Sequence, residues 1–199
     1  MAIQDPKRCV VLALHFQNDI AHENGKMGFG TGAKRANVVE AARRLIEGAR
    51  EVGAPVVHAR VAYRPDHKEV VANCVLFRTV VEKKGLVDGT WGAEFLDGLT
   101  PRPDELVVAH RRVNPFYGSA LEEAVRKLGA ETIVISGVAT NYVVDHAARH
   151  ACDVGYDVVI AADACSTRTP EAHGASLQTL ALLATVSTVS EILGAWKVG

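Results

Sequence analysis

Six short runs of β-branched and aliphatic residues recur along the chain, separated by segments with helical periodicity. Within each run the apolar positions are nearly continuous rather than alternating, which is typical of strands buried on both faces of a parallel sheet. The pattern therefore predicts six strands, at residues 9–14, 55–61, 106–109, 132–136, 158–161 and 186–189.

Helices are predicted between these strands from periodicity and from their end signals. Residues 33–52 have helical periodicity and stop at Gly53, and residues 121–128 stop at Gly129. Ser119 precedes the second of these helices and Glu122 follows three residues later, so a capping box is expected there.

Two further helices are predicted in the second half of the chain. One begins after Thr140 or Asn141 and ends near Cys152, and another has Thr169 as N-cap and Pro170 as its first residue. Strands that alternate with helices predict an α/β fold, an open, doubly wound and mostly parallel six-stranded sheet with helices on both faces.

The segment 63–102 departs from this alternation. Pro65, Gly85 and Gly89 are among the residues that break any long element there, so the segment predicts a helix followed by a covering loop. We expect substrate selectivity to lie in this segment. At 199 residues with no internal repeat, the chain predicts one domain over residues 1–199.

Composition narrows the class of partner. The chain is 48% hydrophobic and 23% charged with a formal net charge of −1, and its charges are interspersed, so neither nucleic acid nor an anionic membrane is an expected partner. A small molecule is the better prediction. No apolar run has signal-peptide or membrane-span length, which predicts a cytoplasmic protein. The four cysteines form no C-x-x-C pair and are expected to be small buried hydrophobes.

Ligands of open parallel sheets bind beyond the carboxyl ends of the strands. His15 follows the first predicted strand, His110 follows the third, and residues 137–141 link the fourth strand to a helix. These three segments are far apart in sequence, yet the predicted topology places them at one edge of the sheet. The convergence predicts a site at this edge.

Three stretches carry a resemblance to a known family. Residues 15–19 read H-F-Q-N-D, residues 107–116 end in N-P-F, and residues 136–144 read S-G-V-A-T-N-Y-V-V. They resemble the signature segments of the isochorismatase-like (cysteine hydrolase) family, whose cores read roughly V-I-D-x-Q-N-D, V-x-K-x-x-Y-S-A-F and S-G-V-A-T-N-x-C-V. At the positions of the family's Asp, Lys and Cys this chain has His15, His110 and Val143.

The resemblance implies the isochorismatase-like hydrolase fold, a common assembly into dimers or tetramers, and a turn at residues 137–140 that contains a non-proline cis peptide in the family. Val143 has no nucleophilic atom, so covalent thiol chemistry at this position is excluded. His15 and His110 are the predicted catalytic residues, because histidine is both a competent acid and a competent base near neutral pH. The predicted substrate-binding residues are Trp91, Asn114, Phe116, Val138, Ala139, Thr140, Tyr142 and Val143.

Other polar residues have simpler interpretations. Asp19 is expected to be structural, and His146 and His150 form a solvated or subunit-facing stripe without the Glu of H-E-x-x-H. Arg111 and Arg112 fit either a substrate carboxylate or a water-exposed loop. No third ligand at good spacing accompanies the two site histidines, so neither a metal nor a cofactor is predicted.

Three functions stay open at this point. The first is hydrolysis of a vinyl ether or a related bond in a small molecule by non-covalent acid/base chemistry, with His15 and His110 as the acting groups. The second is an amide or carbamoyl hydrolase with a different nucleophile, such as Thr140. The third is a catalytically silent family member that binds a small molecule or a protein partner.

Overall fold

The computed structural model of the protein describes residues 5–29 and 33–197. Its strands form one parallel sheet of six strands in the order β3-β2-β1-β4-β5-β6. This confirms the predicted fold class. The strands are β1 (Cys9–Leu14), β2 (Val56–Val61), β3 (Leu106–His110), β4 (Thr132–Val138), β5 (Asp157–Ser166) and β6 (Thr185–Ser187).

Two corrections to the strand ends concern the site. His110 is the last residue of β3 rather than the residue after it, and β4 continues to Val138, where it pairs with Ser166 of β5. Val189 was predicted inside the last strand, but it begins a helix, because β6 stops at Ser187 and Glu191 caps the new helix start by accepting from Thr188 N at 2.8 Å.

Helices cover both faces of the sheet and bury two apolar layers against it. The β1 residues Val11 and Val10 point to opposite layers, the first with α2 and α7 and the second with α4, α5 and α6. The helices are α1 (Asn18–Ala21), α2 (Ala33–Val52), α3 (Val75–Glu82), α4 (Leu121–Lys127), α5 (Asp145–Asp153), α6 (Pro170–Leu180) and α7 (Val189–Lys197).

One predicted helix cap is confirmed and another is wrong. Thr169 caps α6 as predicted, with its Oγ1 accepting from Ala172 N at 3.2 Å. The capping box before α4 is wrong: Ser119 Oγ accepts from Leu121 N at 3.1 Å instead of from Glu122 N. The Glu122 carboxylate does not take part in the cap because it pairs with the Arg126 guanidinium one turn later.

The predicted helix after β4 begins with a π-helical turn over Thr140–Val144 and continues as α5. The segment 63–102 contains α3 and a 3₁₀ turn at Trp91–Ala93, as the prediction of a helix followed by a covering loop requires. Within the described ranges, no helix has the length and apolarity needed to cross a membrane.

Candidate active site

Two buried histidines meet at the carboxyl edge of the sheet. His15 leaves β1 with a positive φ of 61°, and its backbone N–H donates to Ala59 O at 2.9 Å, so its ring reaches across the end of β2. There its Nε2 lies 2.7 Å from Nε2 of His110, and the two ring planes are 18° apart with centroids 4.8 Å apart, so the rings meet edge to edge. The fold therefore brings together two side chains that are 95 residues apart in sequence.

The proton positions in this pair follow from the backbone around it. Nδ1 of His110 lies 2.9 Å from the carbonyl oxygen of Arg112, which can only accept, so His110 has its hydrogen on Nδ1. In the neutral pair, Nε2 of His110 is then an acceptor, and Nε2–H of His15 donates to it. This leaves Nδ1 of His15 as the basic nitrogen of the pair.

Burial lowers the pKa of both rings, so that each resists a second proton. Desolvation, together with the neighbouring His110, lowers the pKa of His15 well below its ordinary value, while a hydrogen bond to the Val138 backbone opposes the shift. Desolvation lowers the pKa of His110 to about 4. A backbone group raises a histidine pKa by accepting from the charged ring, so the Val138 carbonyl favours the protonated form of His15.

His15 lines a pocket of about 500 Å³, counted with its open mouth. Most of its wall is apolar, and Phe29 and Tyr142 meet edge to face with ring centroids 5.6 Å apart. The only polar side chains among the described lining residues are His15, Tyr63, Arg112 and Tyr142. A mostly apolar cleft with a few polar groups is the usual form of a small-molecule site.

Four of the predicted substrate-binding residues lie in this pocket, namely Val138, Ala139, Tyr142 and Val143. The peptide bond between Val138 and Ala139 is cis. Val143 is 1% exposed and lines the pocket.

The other four predicted residues are not among the described residues that line this pocket. Trp91 lies on the surface, packs edge-on against His22, and borders a separate hollow beside Lys26. The Asn18 side-chain amide donates to Trp91 O at 2.8 Å and fixes this turn.

The remaining three contact residues around the site, and they are Asn114, Phe116 and Thr140. Asn114 Oδ1 accepts from Phe116 N at 2.9 Å, and the Phe116 ring stacks on His150 with centroids 4.5 Å apart. Thr140 is 0% exposed and its Oγ1 lies 2.8 Å from Nδ1 of His173, so the hydroxyl is not presented to a ligand.

Asp19 is held by backbone groups, as expected of a structural residue. Its carboxylate accepts from Leu86 N at 2.7 Å and from Lys26 N at 3.2 Å, and it fills the space beside Gly92. It thereby attaches the covering segment to the end of β1. His150, predicted in a solvated or subunit-facing stripe, is half-buried between Phe116 and Glu122.

No cysteine is among the described residues that line the pocket. Cys165 is buried beside Ile135 O, and burial raises the pKa of its thiol to about 12. Cys9 is also buried, whereas Cys74 is exposed, so the expectation of burial is wrong for Cys74. In the described part of the chain, no group of three or more His, Cys, Asp or Glu side chains is placed to hold a metal ion.

Sequence reasoning did not single out several residues of the pocket wall. Phe77 and Val80 come from one face of α3, and Leu86 from the loop after it, all within the segment expected to hold selectivity. The spacing of Phe77 and Val80 on an amphipathic helix is a signal that could have found them. Phe29 carried no comparable signal, since it lies in a loop without periodicity.

Comparisons with known proteins agree with this architecture. The chain is 34% identical over 175 residues to the uncharacterized isochorismatase family protein YecD of Escherichia coli O157:H7, covering 87% of this chain and 91% of that protein. It is 28% identical over 183 residues to the ureidoacrylate amidohydrolase RutB of Methylorubrum extorquens, covering 84% of this chain and 73% of that enzyme.

Among solved structures, a cysteine hydrolase from Pseudomonas syringae pv. phaseolicola superposes with a TM-score of 0.86 at 21% identity, over 96% of this chain and 92% of that one. At this identity the likeness concerns the fold alone. The isochorismatase domain model matches residues 9–191. With a match over nearly the whole length and a relative above 30% identity, this chain belongs to the isochorismatase family.

Proposed function

We propose that this protein is a hydrolase that acts on a small molecule, at a vinyl ether or a related bond, by non-covalent acid/base chemistry of His15 and His110. The observation that carries the proposal is the 2.7 Å contact between the two Nε2 atoms at the wall of the pocket. We further propose that the pair and Val143 replace the Asp, Lys and Cys that signature segments of the family contain.

The geometry supports His15 as the residue that donates and then accepts a proton. When the pair holds one extra proton, that proton lies on Nδ1 of His15, and the charge is shared with Nε2 of His110 through the short hydrogen bond. In the proposed reaction His15 gives this proton to the carbon–carbon double bond of the vinyl ether. A water molecule then adds to the oxocarbenium ion and returns a proton to His15, and the hemiacetal that forms releases the alcohol.

Val143 and the buried state of Thr140 favour this mechanism over a covalent one. Neither a thiol nor a free hydroxyl of these residues is presented to the pocket. A positioned acid/base group typically contributes about 10²- to 10⁴-fold to a rate. That range suits a reactive bond better than an unactivated amide.

An amide or carbamoyl bond is the second candidate, because relatives named for amide hydrolysis include RutB and a maleamate amidohydrolase of Pseudomonas putida. It requires another nucleophile, and Thr140 would first have to release its hydrogen bond to His173. A covalent intermediate would then accumulate or be trappable.

The test is product formation on a panel of small vinyl ethers, amides and ureas, with wild type, His15→Ala and His110→Ala. We expect turnover of a vinyl ether or related substrate and a loss of about a hundredfold or more in either variant. His146→Ala is the matched control, since His146 is an exposed histidine outside the pocket.

Other outcomes contradict the proposal. A trapped acyl adduct on Thr140 by mass spectrometry would establish the amide alternative. A folded wild type that turns over none of the panel, while binding members of it, would favour a catalytically silent binding protein. The single domain, assembly into dimers or tetramers, and a cytoplasmic location stay predictions.

A further inference from the structure

The pocket contains one cation whose charge has no acidic partner. Arg112 lines the pocket, and no carboxylate of the described residues lies within ion-pair distance of it. Its polar contacts are neutral and long, at 3.4 Å to Val71 O and 3.5 Å to Asn73 Oδ1. Most of its five N–H donors are therefore available to a ligand.

The position of this guanidinium is fixed by its surroundings. It stacks over the Phe77 ring, with Cζ 4.1 Å from the ring centroid. Its backbone carbonyl accepts from His110 Nδ1 at 2.9 Å, and the carbonyl of Arg111 accepts from the Tyr63 hydroxyl at 3.0 Å. The loop that follows β3 is thus held at two successive carbonyls, directly beside the histidine pair.

Other arginines that bear on this site are placed differently. Arg50 and Arg126 have carboxylate partners, Glu105 and Glu122, that compensate their charges. Arg168 stacks over Phe29 but is exposed and does not line the pocket, and Arg111 is exposed as well. Arg112 is half-buried, which makes an uncompensated charge there more costly and a bound anion more favourable.

We propose that Arg112 is a specificity-determining residue that binds the carboxylate of a small aromatic or unsaturated acid, whose flat body lies against Phe29, Tyr142 and Phe77. The aromatic walls are complementary to a planar body, and the guanidinium fork matches a carboxylate with two parallel hydrogen bonds. This inference rests on the proposed function, because it names the substrate class of the same pocket.

The test compares benzoate with benzamide, two flat probes of nearly equal size that differ in charge. Calorimetric titration of the full chain is expected to show tighter binding of benzoate to wild type. Arg112→Gln should weaken benzoate binding by about tenfold or more and leave benzamide binding nearly unchanged. Arg111→Gln is the matched control and should bind both probes as wild type does.

Arg112→Lys provides a second test of the inference if the Gln variant folds poorly. It keeps the charge and an aliphatic stem over Phe77 but loses the fork, so its preference for benzoate should fall between wild type and Arg112→Gln. Equal affinity of wild type for the two probes, no binding of either, or equal losses in the Arg111 and Arg112 variants would overturn the inference.

His15→Ala separates this inference from the proposed function. The variant should keep its preference for benzoate, because Arg112 and the aromatic walls are unchanged. Preference for benzoate in a protein without turnover on any panel member would contradict the chemistry and support the binding site. Turnover of neutral substrates by a wild type that does not prefer benzoate would support the chemistry and contradict the role of Arg112.

Discussion

The sheet buries histidines at both of its edges, and their surroundings differ. At the edge opposite the pocket, His58 of β2 is 1% exposed and its Nε2 lies 3.0 Å from Glu105, which also accepts from Arg50 at 2.7 and 2.8 Å. At the carboxyl edge, His15 and His110 have each other and two backbone carbonyls, with no carboxylate in hydrogen-bond contact among the described residues.

The difference shows how buried histidines can have either a structural role or a chemical one. Burial lowers the pKa of His58, but Glu105 opposes the shift, so the group is a compensated element of a charge network. Among the described residues no carboxylate holds a proton on the pair at the carboxyl edge, so the pair stays neutral beside an apolar pocket. Compensation is typical of a structural role, whereas an uncompensated pair is available for chemistry.

The largest expected effect concerns the compensated edge. Glu105→Gln removes the only carboxylate among the described residues that contacts both Arg50 and His58, and leaves the largely buried Arg50 guanidinium with Glu47 alone. We expect a loss of about 3 to 5 kcal/mol in the free energy of unfolding, measured by urea denaturation. Glu47→Gln, which removes a 40% exposed partner of the same Arg50, should cost less than about 1 kcal/mol. Equal losses would contradict the assigned burial.

A pH series separates the two edges. The pKa of His110 is lowered from 6.5 to about 4, so the unfolded chain binds more protons between these values and stability falls as the pH is lowered through that window. The contribution is roughly 3 kcal/mol at most. His110→Asn should reduce the slope of unfolding free energy there, and His146→Gln, at an exposed position, should not.

Glu105 responds in a lower window. Burial alone would raise its pKa, but hydrogen bonds from Arg50 and the Arg102 backbone lower it from 4.5 to about 2. Its contribution to stability is complete above 4.5 and is lost as the pH falls towards 2. Glu105→Gln should flatten the curve in this lower window, and an unchanged slope there would contradict the assignment.

Catalysis should depend on only one of the two edges. His15→Gln is expected to lower kcat by about a hundredfold or more with a smaller change in stability, because it removes the basic nitrogen of the pair. His58→Gln should leave kcat within about twofold and cost roughly 1 to 3 kcal/mol of stability. Steady-state kinetics and thermal unfolding of both variants provide the measurement. A similar loss of kcat in both variants would contradict the expectation that catalysis depends on the carboxyl edge alone.

The smallest expected effect is that of thiol modification. Iodoacetamide should alkylate exposed Cys74 and spare Cys165, whose thiol has a pKa raised to about 12 by burial. Turnover should be unchanged, since no described pocket residue is a cysteine. Peptide mass spectrometry paired with an activity assay checks this, and inhibition that follows the modification of Cys165 would count against a non-covalent mechanism.

Much of the fold was readable from local patterns. The apolar runs located all six strands to within a few residues, and Gly53 and Gly129 ended their helices in left-handed conformations as expected. The ends were harder, because β5 extends through Ser166 past the predicted 158–161 by pairing with the end of β4. Long-range pairing rather than local propensity decides where such a strand stops.

The sequence by itself determined that His15, His110 and the turn at Val138 would meet, because parallel topology gathers strand ends at one edge. Only the tertiary structure decided which side chains share the pocket. It added Phe29 and Phe77 through loop and helix packing, and it placed Trp91 on a separate surface. The physical reason is that the positions of the strands along the chain follow from short-range hydrophobic pattern, whereas pocket walls depend on packing between segments that are distant in the chain.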